Sequence, residues 1–406
     1  MNKLLLSIPT SFGLEGPVAN EVRRLGYETD RVEDGRVSFY GDERAICRAN
    51  IWLRTAERVQ IKMGDFQAES FTELFDQVKA LPWSALLPAD AAFPVKGHCL
   101  SSRLASVPDC QSIIKKAVAE SMKSKWKIDR FSETGAFYSI GFNIIRDRVT
   151  IYVDTSGEGL YKRGYREAAT LAPLRETLAA ALVAVSGWRP GFSLWDPFCG
   201  SGTIVIEAAM MAADRAPGLE RRFVAEGWEI MSEGRRTLPF KKIWDEERAL
   251  ARAAYESKIE ELTSKGSPVI LAGSDLSRRC VQTARQNASK AGVSQITRFF
   301  QLNAKDMGAG QRSLAEAGVR FPARGSGRLI ANPPYGERDG DLPGATETCR
   351  EWAPALTGFR HWGWCFISAL ENFERDIGRQ ADRRRKLYNG RIKCQAYMYK
   401  PDAGQK

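Results

Sequence analysis

Two stretches of this chain carry residue types that do chemistry when brought together. One is Asp196-Pro197-Phe198-Cys199-Gly200-Ser201-Gly202-Thr203 and the other is Asn332-Pro333-Pro334-Tyr335. The first follows a short apolar run, meets an acid, crosses a small-residue loop and enters the helical pattern Ile204 to Met211. Strand, glycine turn and helix in that order form a nucleotide-cofactor site at the carboxyl end of a parallel strand. The loop is neither the dinucleotide G-x-G-x-x-G pattern nor a P-loop, since no Gly-Lys-Ser/Thr follows. It suits a zwitterionic amino-acid tail, with helix N–H groups for the carboxylate and Asp196 for the ammonium, directly or through water. Gly200 and Gly202 read as places where a Cβ would collide with a ligand. Cys199 reads as a packing residue rather than a nucleophile.

The second stretch suits a poor nucleophile. The lone pair of an exocyclic base amine is delocalised into the ring. The side-chain carbonyl of Asn332 and the backbone carbonyl of Pro333 can both accept its hydrogens, drawing the nitrogen toward tetrahedral geometry and aiming the lone pair at a methyl group. Two prolines fix the backbone so that the carbonyls converge, and Tyr335 can stack on a flipped base. The nitrogen loses its proton after it becomes cationic, so no general base of shifted pKa is required. The plain alternative is a proline-rich turn after a strand.

Two further stations lie between them. Asp275 ends the run Gly273-Ser274-Asp275-Leu276, where an acid can accept both hydroxyls of a ribose; its alternative is a helix cap for Ser277 onward. The usual separation from the glycine loop is about 20 residues, so an insertion must loop out here. Asn303-Ala304 follows the next strand, where Asn303 can meet an adenine amino group or simply form a turn, with Asp306 as competitor.

The elements that must position these residues alternate strand and helix from Leu174 onward, which predicts a parallel sheet. Pro173 suits the first turn of a helix over 174–185. Strands are expected at Phe192–Phe198, Val269–Asp275, Ile296–Leu302, Arg328–Asn332 and Trp362–Ala369. Ala216 to Pro268 reads as an insertion or extended crossover, with a charged helix near Asp245 to Lys265. Asn389-Gly390 marks a terminal hairpin; an antiparallel hairpin closing a parallel sheet is a class I methyltransferase feature. Before Leu174 the pattern is α+β, with a hairpin at Asp34-Gly35, a helix capped by Asp42 and another opening at Pro108. In the last, Ile114, Val118, Met122 and Trp126 line one face and Lys115, Lys116, Lys123, Lys125 and Lys127 crowd the rest. That is a core stripe with a solvated basic face, or a surface for RNA. The connector Tyr161-Lys162-Arg163-Gly164-Tyr165-Arg166 can place cations on phosphates and tyrosines on bases, or be a linker with snorkelling arginines.

Composition bounds the partners. With 406 residues, 43% of them hydrophobic, the chain can bury two or three cores. A net charge of +11 favours a polyanionic partner. The eight cysteines form no Cys-x-x-Cys pair and the two histidines, His98 and His361, lie apart from any cysteine cluster. No metal is expected, and a reduced, cytoplasmic setting is the natural reading. Absence of a Pro-Cys dipeptide disfavours cytosine-C5 chemistry. The N-terminal apolar run is too short for a signal peptide, and no run approaches a membrane span.

At this point the sequence resembles the THUMP-domain RNA N2-guanine methyltransferases. The resemblance rests on Asp196 to Thr203, on Asn332-Pro333-Pro334-Tyr335-Gly336-Glu337-Arg338, on Leu387-Tyr388-Asn389-Gly390, and on Lys162 to Arg166 with Ala172-Pro173-Leu174-Arg175-Glu176. It covers nearly the whole chain, is strong from Leu160 on, and is greatest to the bacterial 23S rRNA enzymes lacking a second fused methyltransferase. It implies a ferredoxin-like α+β region over 1–60, a THUMP RNA-binding domain over 61–159, and over 160–406 a Rossmann-like domain using S-adenosyl-L-methionine. By position, Asp196, Phe198, Cys199, Gly200, Ser201 and Gly202 would hold the cofactor, with Asp275 and Leu276 at its ribose and Asn303 and Ala304 at its adenine. Asn332, Pro333, Pro334 and Tyr335 would hold the guanine. Asn303 stands where many relatives carry an acid. Lys115, Lys116, Arg163, Arg166 and Arg338 are the candidate RNA contacts, and a monomer is favoured. Competing readings are a tRNA guanine-N2 enzyme, an adenine-N6 methyltransferase and a non-catalytic ribosome assembly factor.

Overall fold

The computed structural model describes residues 3–128, 131–166, 174–229, 231–232, 235–236, 240–264, 270–308, 327–335, 342–390 and 392–402. Ala172, Pro173 and Arg338 lie outside them. The chain divides into two compact units. The first is Met1–Thr10, Val18–Leu160 and Arg221–Leu250; the second is Ser11–Pro17, Tyr161–Glu220 and Ala251–Lys406.

The N-terminal part runs β1 (Leu4–Pro9), α1 (Glu15–Arg24), β2 (Thr29–Glu33), β3 (Arg36–Gly41), α2 (Glu43–Trp52), β4 (Gln60–Gln67), α3 (Phe71–Lys79), β5 (Val95–Leu100), α4 (Val107–Trp126), β6 (Ile140–Ile145) and β7 (Arg148–Asp154). Its seven strands form one sheet in the order β2-β3-β1-β4-β7-β6-β5. The local signals explain most boundaries. Asp42 caps α2 by accepting the Ala45 amide, and Ser70 and Ser106 cap α3 and α4 in the same way. In α4 the Ile114, Val118 and Met122 side chains are fully buried, while Lys115 and Lys116 are exposed. Lys115 is paired with Glu133 at 2.9 Å.

The chain continues through α5 (Glu176–Val185), β8 (Ser193–Asp196), α6 (Thr203–Ala212), the two-residue strands β9 (Met231–Ser232) and β10 (Arg235–Arg236), α7 (Phe240–Ser264), β11 (Leu271–Asp275), α8 (Arg278–Lys290), β12 (Thr297–Gln301), β13 (Gly327–Ala331), β14 (Gly363–Ser368), β15 (Arg383–Asn389) and β16 (Ile392–Tyr399). A seven-stranded sheet orders them β12-β11-β8-β13-β14-β16-β15. The first five are parallel, whereas β16 pairs antiparallel with both β14 and β15. This is the parallel sheet with a terminal antiparallel hairpin expected above. All four residues of β8 and all six of β14 are buried, the mark of strands covered on both faces.

The expected insertion has a definite home. Its part Arg221–Leu250 belongs to the first unit, not to the parallel-sheet unit whose sequence it interrupts. Trp228 stacks on Tyr138 with centroids 4.5 Å apart and donates to the Phe137 carbonyl at 2.8 Å. Glu247, 1% exposed, pairs with Arg44 at 2.6 Å and Arg48 at 3.0 Å. The helix starts at Phe240 rather than Asp245, because Phe240 and Trp244 pack edge to face at 5.8 Å and anchor an extra turn.

A buried polar junction closes the first unit. Asn50, 1% exposed, donates to the Ile46 carbonyl at 3.0 Å and to Thr155 Oγ1 at 2.8 Å, and accepts from Ser156 Oγ at 2.6 Å. Replacing Asn50 with Leu leaves the fully buried Ser156 hydroxyl without its acceptor. The expected cost is about 2–3 kcal/mol, read as a lowered denaturant midpoint of unfolding; an unchanged midpoint refutes the role of this junction.

Candidate active site

Strand order reverses between β8 and β13, so the chain leaves both strands at one switch point, where open α/β sheets hold ligands. Leu329 lies opposite Trp195 in register. Three residues beyond that pair stand Phe198 on one side and Asn332 on the other. The topology thus brings the two stretches singled out above to the same end of the sheet.

Asp196, 1% exposed, accepts the Phe198 amide on Oδ1 at 3.0 Å. Burial pushes its carboxyl well above the ordinary carboxylate value, and the negative charge of Asp275 pushes the same way. Asp275 itself bridges two elements. Its Oδ2 accepts the Gly200 amide at 3.0 Å and its Oδ1 accepts the Ser277 amide at 2.8 Å. The acid therefore serves the helix entry, as its alternative reading held, and ties down the glycine loop as well. A carboxylate has about four lone-pair directions, so these two bonds leave acceptor capacity for ribose hydroxyls. Beside it Leu276 is 66% exposed, an apolar surface at a strand end.

The loop is held from several sides. Cys199 donates its amide to the Ser274 carbonyl at 2.9 Å, and Gly202 donates to the Cys199 carbonyl at 2.7 Å. Asn287, a buried residue of α8, donates to the Ser201 carbonyl at 3.0 Å. The two glycines turn out to differ. Gly200 (φ +51°) has open space where a Cβ would stand, whereas at Gly202 (φ +84°) a Cβ would lie 2.9 Å from the Ala284 Cβ and 3.0 Å from the Phe299 ring. Gly202 is required by protein packing and not by ligand clearance; Gly200 faces the open side. Amides of the first turn of α6, from Thr203 on, have no partner within the helix and so remain for an anion. Phe198 packs edge to face with Trp352 at 5.2 Å. Cys199 is 6% exposed and burial pushes its thiol well above the usual value, in keeping with packing rather than nucleophilic work.

The connector cations go elsewhere than expected. The Arg163 side chain is 2% exposed and its Nε lies 3.6 Å from Glu207, which also accepts from the Tyr165 hydroxyl at 3.1 Å. Arg166 donates to Thr203 Oγ1 at 2.6 Å and to the Leu174 carbonyl at 2.8 Å, with Glu176 at 3.6 Å. Neither guanidinium is placed to meet phosphate. Both are internal partners of α5 and α6, and Arg166 steadies the first residue of the cofactor-loop helix.

Asn303 caps the short helical turn Ala304–Asp306 by accepting the Lys305 amide at 3.2 Å, and Ala304 is buried. The turn role is thus in place, and the Asn303 side-chain NH2 takes no part in that bond.

In the second stretch Asn332 Oδ1 is buried without a hydrogen-bond partner. Leaving such an acceptor unmet costs about 1–3 kcal/mol. Pro333 is buried and Pro334 exposed. Tyr335 is only 8% exposed, and its hydroxyl accepts from Asn389 Nδ2 at 3.0 Å. The ring is therefore a largely covered wall, not the open stacking platform expected from sequence. Asn389, expected as a turn residue and as part of the Leu387–Gly390 motif, reaches Tyr335 from the end of β15.

The two-glycine distinction is measurable. Gly202→Ala forces a Cβ into occupied space and is expected to destabilise the chain by about 2–3 kcal/mol. Gly200→Ala meets only the left-handed backbone penalty of about 1–2 kcal/mol. Equal losses in chemical denaturation overturn the assignment.

Comparison with known proteins places this geometry. Residues 6–60 match a family described as the RlmL ferredoxin-like domain, residues 68–154 match the THUMP domain, and residues 163–398 match the RMKL-like methyltransferase domain. The chain is 41% identical over 401 residues to "Putative RNA methyltransferase YpsC" of Bacillus subtilis (strain 168), covering 98% of this chain and 96% of that protein. A structure described as a "predicted N6-adenine-specific DNA methylase" from Listeria monocytogenes superposes with a TM-score of 0.83 at 40% identity, over 98% of this chain and 97% of that one. SMU.472, described as "a putative methyltransferase complexed with SAH", superposes with a TM-score of 0.85 at 32% identity over the whole of both chains. The methyltransferase match spans more than half of the residues, and the chain belongs to the RMKL-like methyltransferase family.

Proposed function

We propose that the protein transfers a methyl group from S-adenosyl-L-methionine to the exocyclic N2 of a guanosine in structured RNA, with 23S rRNA as the expected substrate. The observation that carries the acceptor chemistry is the buried, unmet Oδ1 of Asn332 at the switch point of the sheet. A buried acceptor without a donor is costly, and an amine hydrogen is the donor it fits.

The residues present fit the cofactor. The open side of Gly200, the first-turn amides of α6, buried Asp196 and exposed Leu276 beside Asp275 offer an anion site, a cation partner, a ribose acceptor and an apolar seat for an adenine. When bound, S-adenosylmethionine supplies an electrophilic methyl on sulfonium. The rest is done by this chain. Asn332 Oδ1 and the Pro333 carbonyl accept the two amine hydrogens, which holds the nitrogen lone pair in one direction. Tyr335, fixed by Asn389, walls the base. The proton leaves the nitrogen after the N–C bond has formed, so nothing here must act as a base beforehand. Residues 1–60 and 61–159, with Arg221–Leu250 in the same unit, are assigned to holding the folded RNA, Lys115 and Lys116 among their surface cations, and the parallel-sheet part of 160–406 to the transfer. The RNA substrate is supported by the THUMP match and by the YpsC relative.

An adenine-N6 reading has support of its own in the description of the Listeria neighbour, because the same four residues serve either amine. Nucleoside mass spectrometry on RNA and DNA from a deletion strain separates the two. Loss of N2-methylguanosine is expected; loss of N6-methyladenine instead overturns the guanine assignment. Asn332→Ala is expected to lower turnover by about 10²-fold while RNA affinity in a gel-shift assay stays near wild type, and unchanged turnover refutes its role.

The raised Asp196 carboxyl makes a pH prediction. A cationic ammonium needs the carboxylate form, so below the raised titration binding must first expel a proton. Cofactor affinity, measured by calorimetry, is therefore expected to climb with pH up to about tenfold per unit and to level off above that titration. Asp196→Asn is expected to bind more weakly and to remove the slope; a slope that survives shows that another group titrates.

A further inference from the structure

The parallel-sheet unit includes a short piece from the far N-terminal end of the chain, Ser11–Pro17. A bond to the edge strand β15, a bond within the piece itself and burial of Leu14 hold it there. Arg385 Nη1 donates to the Gly13 carbonyl at 2.8 Å, Glu15 Oε1 accepts the Gly13 amide at 3.1 Å, and Leu14 is 1% exposed within that unit's core. Gly13 approaches the Lys386 carbonyl so closely that a Cβ would stand 2.5 Å from it. Yet Phe12, next to these anchors, is left 44% exposed. A single exposed apolar residue is ordinary on a surface, but this one adjoins an anchored residue and has company. It meets Tyr388 edge to face at 6.4 Å, and Lys386 Nζ lies 5.9 Å from the Phe12 ring and 5.7 Å from the Tyr388 ring. Exposed Lys393 stands opposite Tyr388 in the hairpin register.

Strand alternation puts Tyr388 and Asn389 on opposite faces of the hairpin tip. Asn389 holds Tyr335 of the acceptor stretch on one face. The other face offers two aromatic rings with two ammonium groups. The neighbouring carboxylates are already engaged: Glu15 with the Gly13 amide, and Glu374 with Arg384 at 2.6 Å.

Resting on the RNA-methylation reading above, we propose that Phe12, Tyr388, Lys386 and Lys393 form a shelf for the nucleotide next to the target guanosine. Its base stacks on the exposed ring and its phosphate meets the lysines. Rings interleaved with cations bind single-stranded nucleic acid without reading its sequence. A nucleotide expelled from a helix leaves a neighbour that needs such a surface. The net charge of +11 and the position of the shelf, one residue from the side chain that orders the acceptor stretch, favour RNA as its occupant.

The test is steady-state methyl transfer from tritiated S-adenosylmethionine to rRNA isolated from a strain lacking the enzyme. Phe12→Ala and Lys386→Ala are each expected to raise KM for RNA about tenfold, since stacking and phosphate contacts act on substrate binding. Turnover at saturating RNA and calorimetric affinity for S-adenosylhomocysteine stay near wild type, and Phe12→Trp restores KM. An unchanged KM in both alanine variants overturns the shelf while leaving the methylation reading intact. No transfer to this RNA by the wild-type enzyme overturns the RNA reading, and the shelf with it. Should Phe12→Ala fail to fold, the milder Phe12→Gln together with Lys386→Ala decides the matter by the same KM.

Discussion

The carboxylate of Asp275 joins parts of the active site that the chain keeps far apart. It ends β11, accepts the amide of Gly200 in the loop after β8, and accepts the amide of Ser277 where the next helix begins. The first bond fixes the glycine loop against the neighbouring strand end, and the second holds the entry of the following helix. The same charge has a second effect. It stands near buried Asp196 and, after burial itself, is what disfavours ionisation there. Burial and a second acid at the adjacent strand end thus both raise the Asp196 carboxyl, a charge arrangement that suits the cationic ligand of the proposed reading. The loop's remaining restraints, Asn287 on the Ser201 carbonyl and Arg166 on the Thr203 hydroxyl, carry no charge conflict of this kind and serve position alone.

The parallel sheet was legible in the sequence because its inner strands are covered on both faces and therefore read as short unbroken apolar runs, as in Gly363–Ser368. Its terminal hairpin was legible because Asn389-Gly390 needs a left-handed residue that glycine supplies, and Gly390 has φ +67°. The acid and small residues of Asp196 to Gly202 announced a loop with free amides. What sequence could not convey was destination. Arg163 and Arg166 sit in a basic, aromatic connector, and nothing local distinguishes a guanidinium bound for phosphate from one bound for Glu207 or Thr203. Periodicity likewise showed a helix before β11. It did not show that the first part of that helix, with Glu247 buried among Arg44 and Arg48, belongs to the other unit. At Gly202 a Cβ is forbidden, but it would meet Ala284 and not the ligand expected from sequence, a neighbour that sequence separation hides.

On the proposed reading, the four residues of the acceptor stretch supply the chemistry and fall short of specificity. Asn332 keeps a buried oxygen unmet, a cost of about 1–3 kcal/mol that surrounding packing must offset. Pro333 and Tyr335 are buried beside it, and Asn389 ties the tyrosine to the hairpin. On the proposed reading an amine is oriented there with no titrating group, so the transfer needs no tuned base. By the same token, two acceptors recognise only two N–H hydrogens. Guanine N2 and adenine N6 both present them. Discrimination must therefore come from how the nucleotide is delivered, through contacts to its neighbours and to the fold of the RNA.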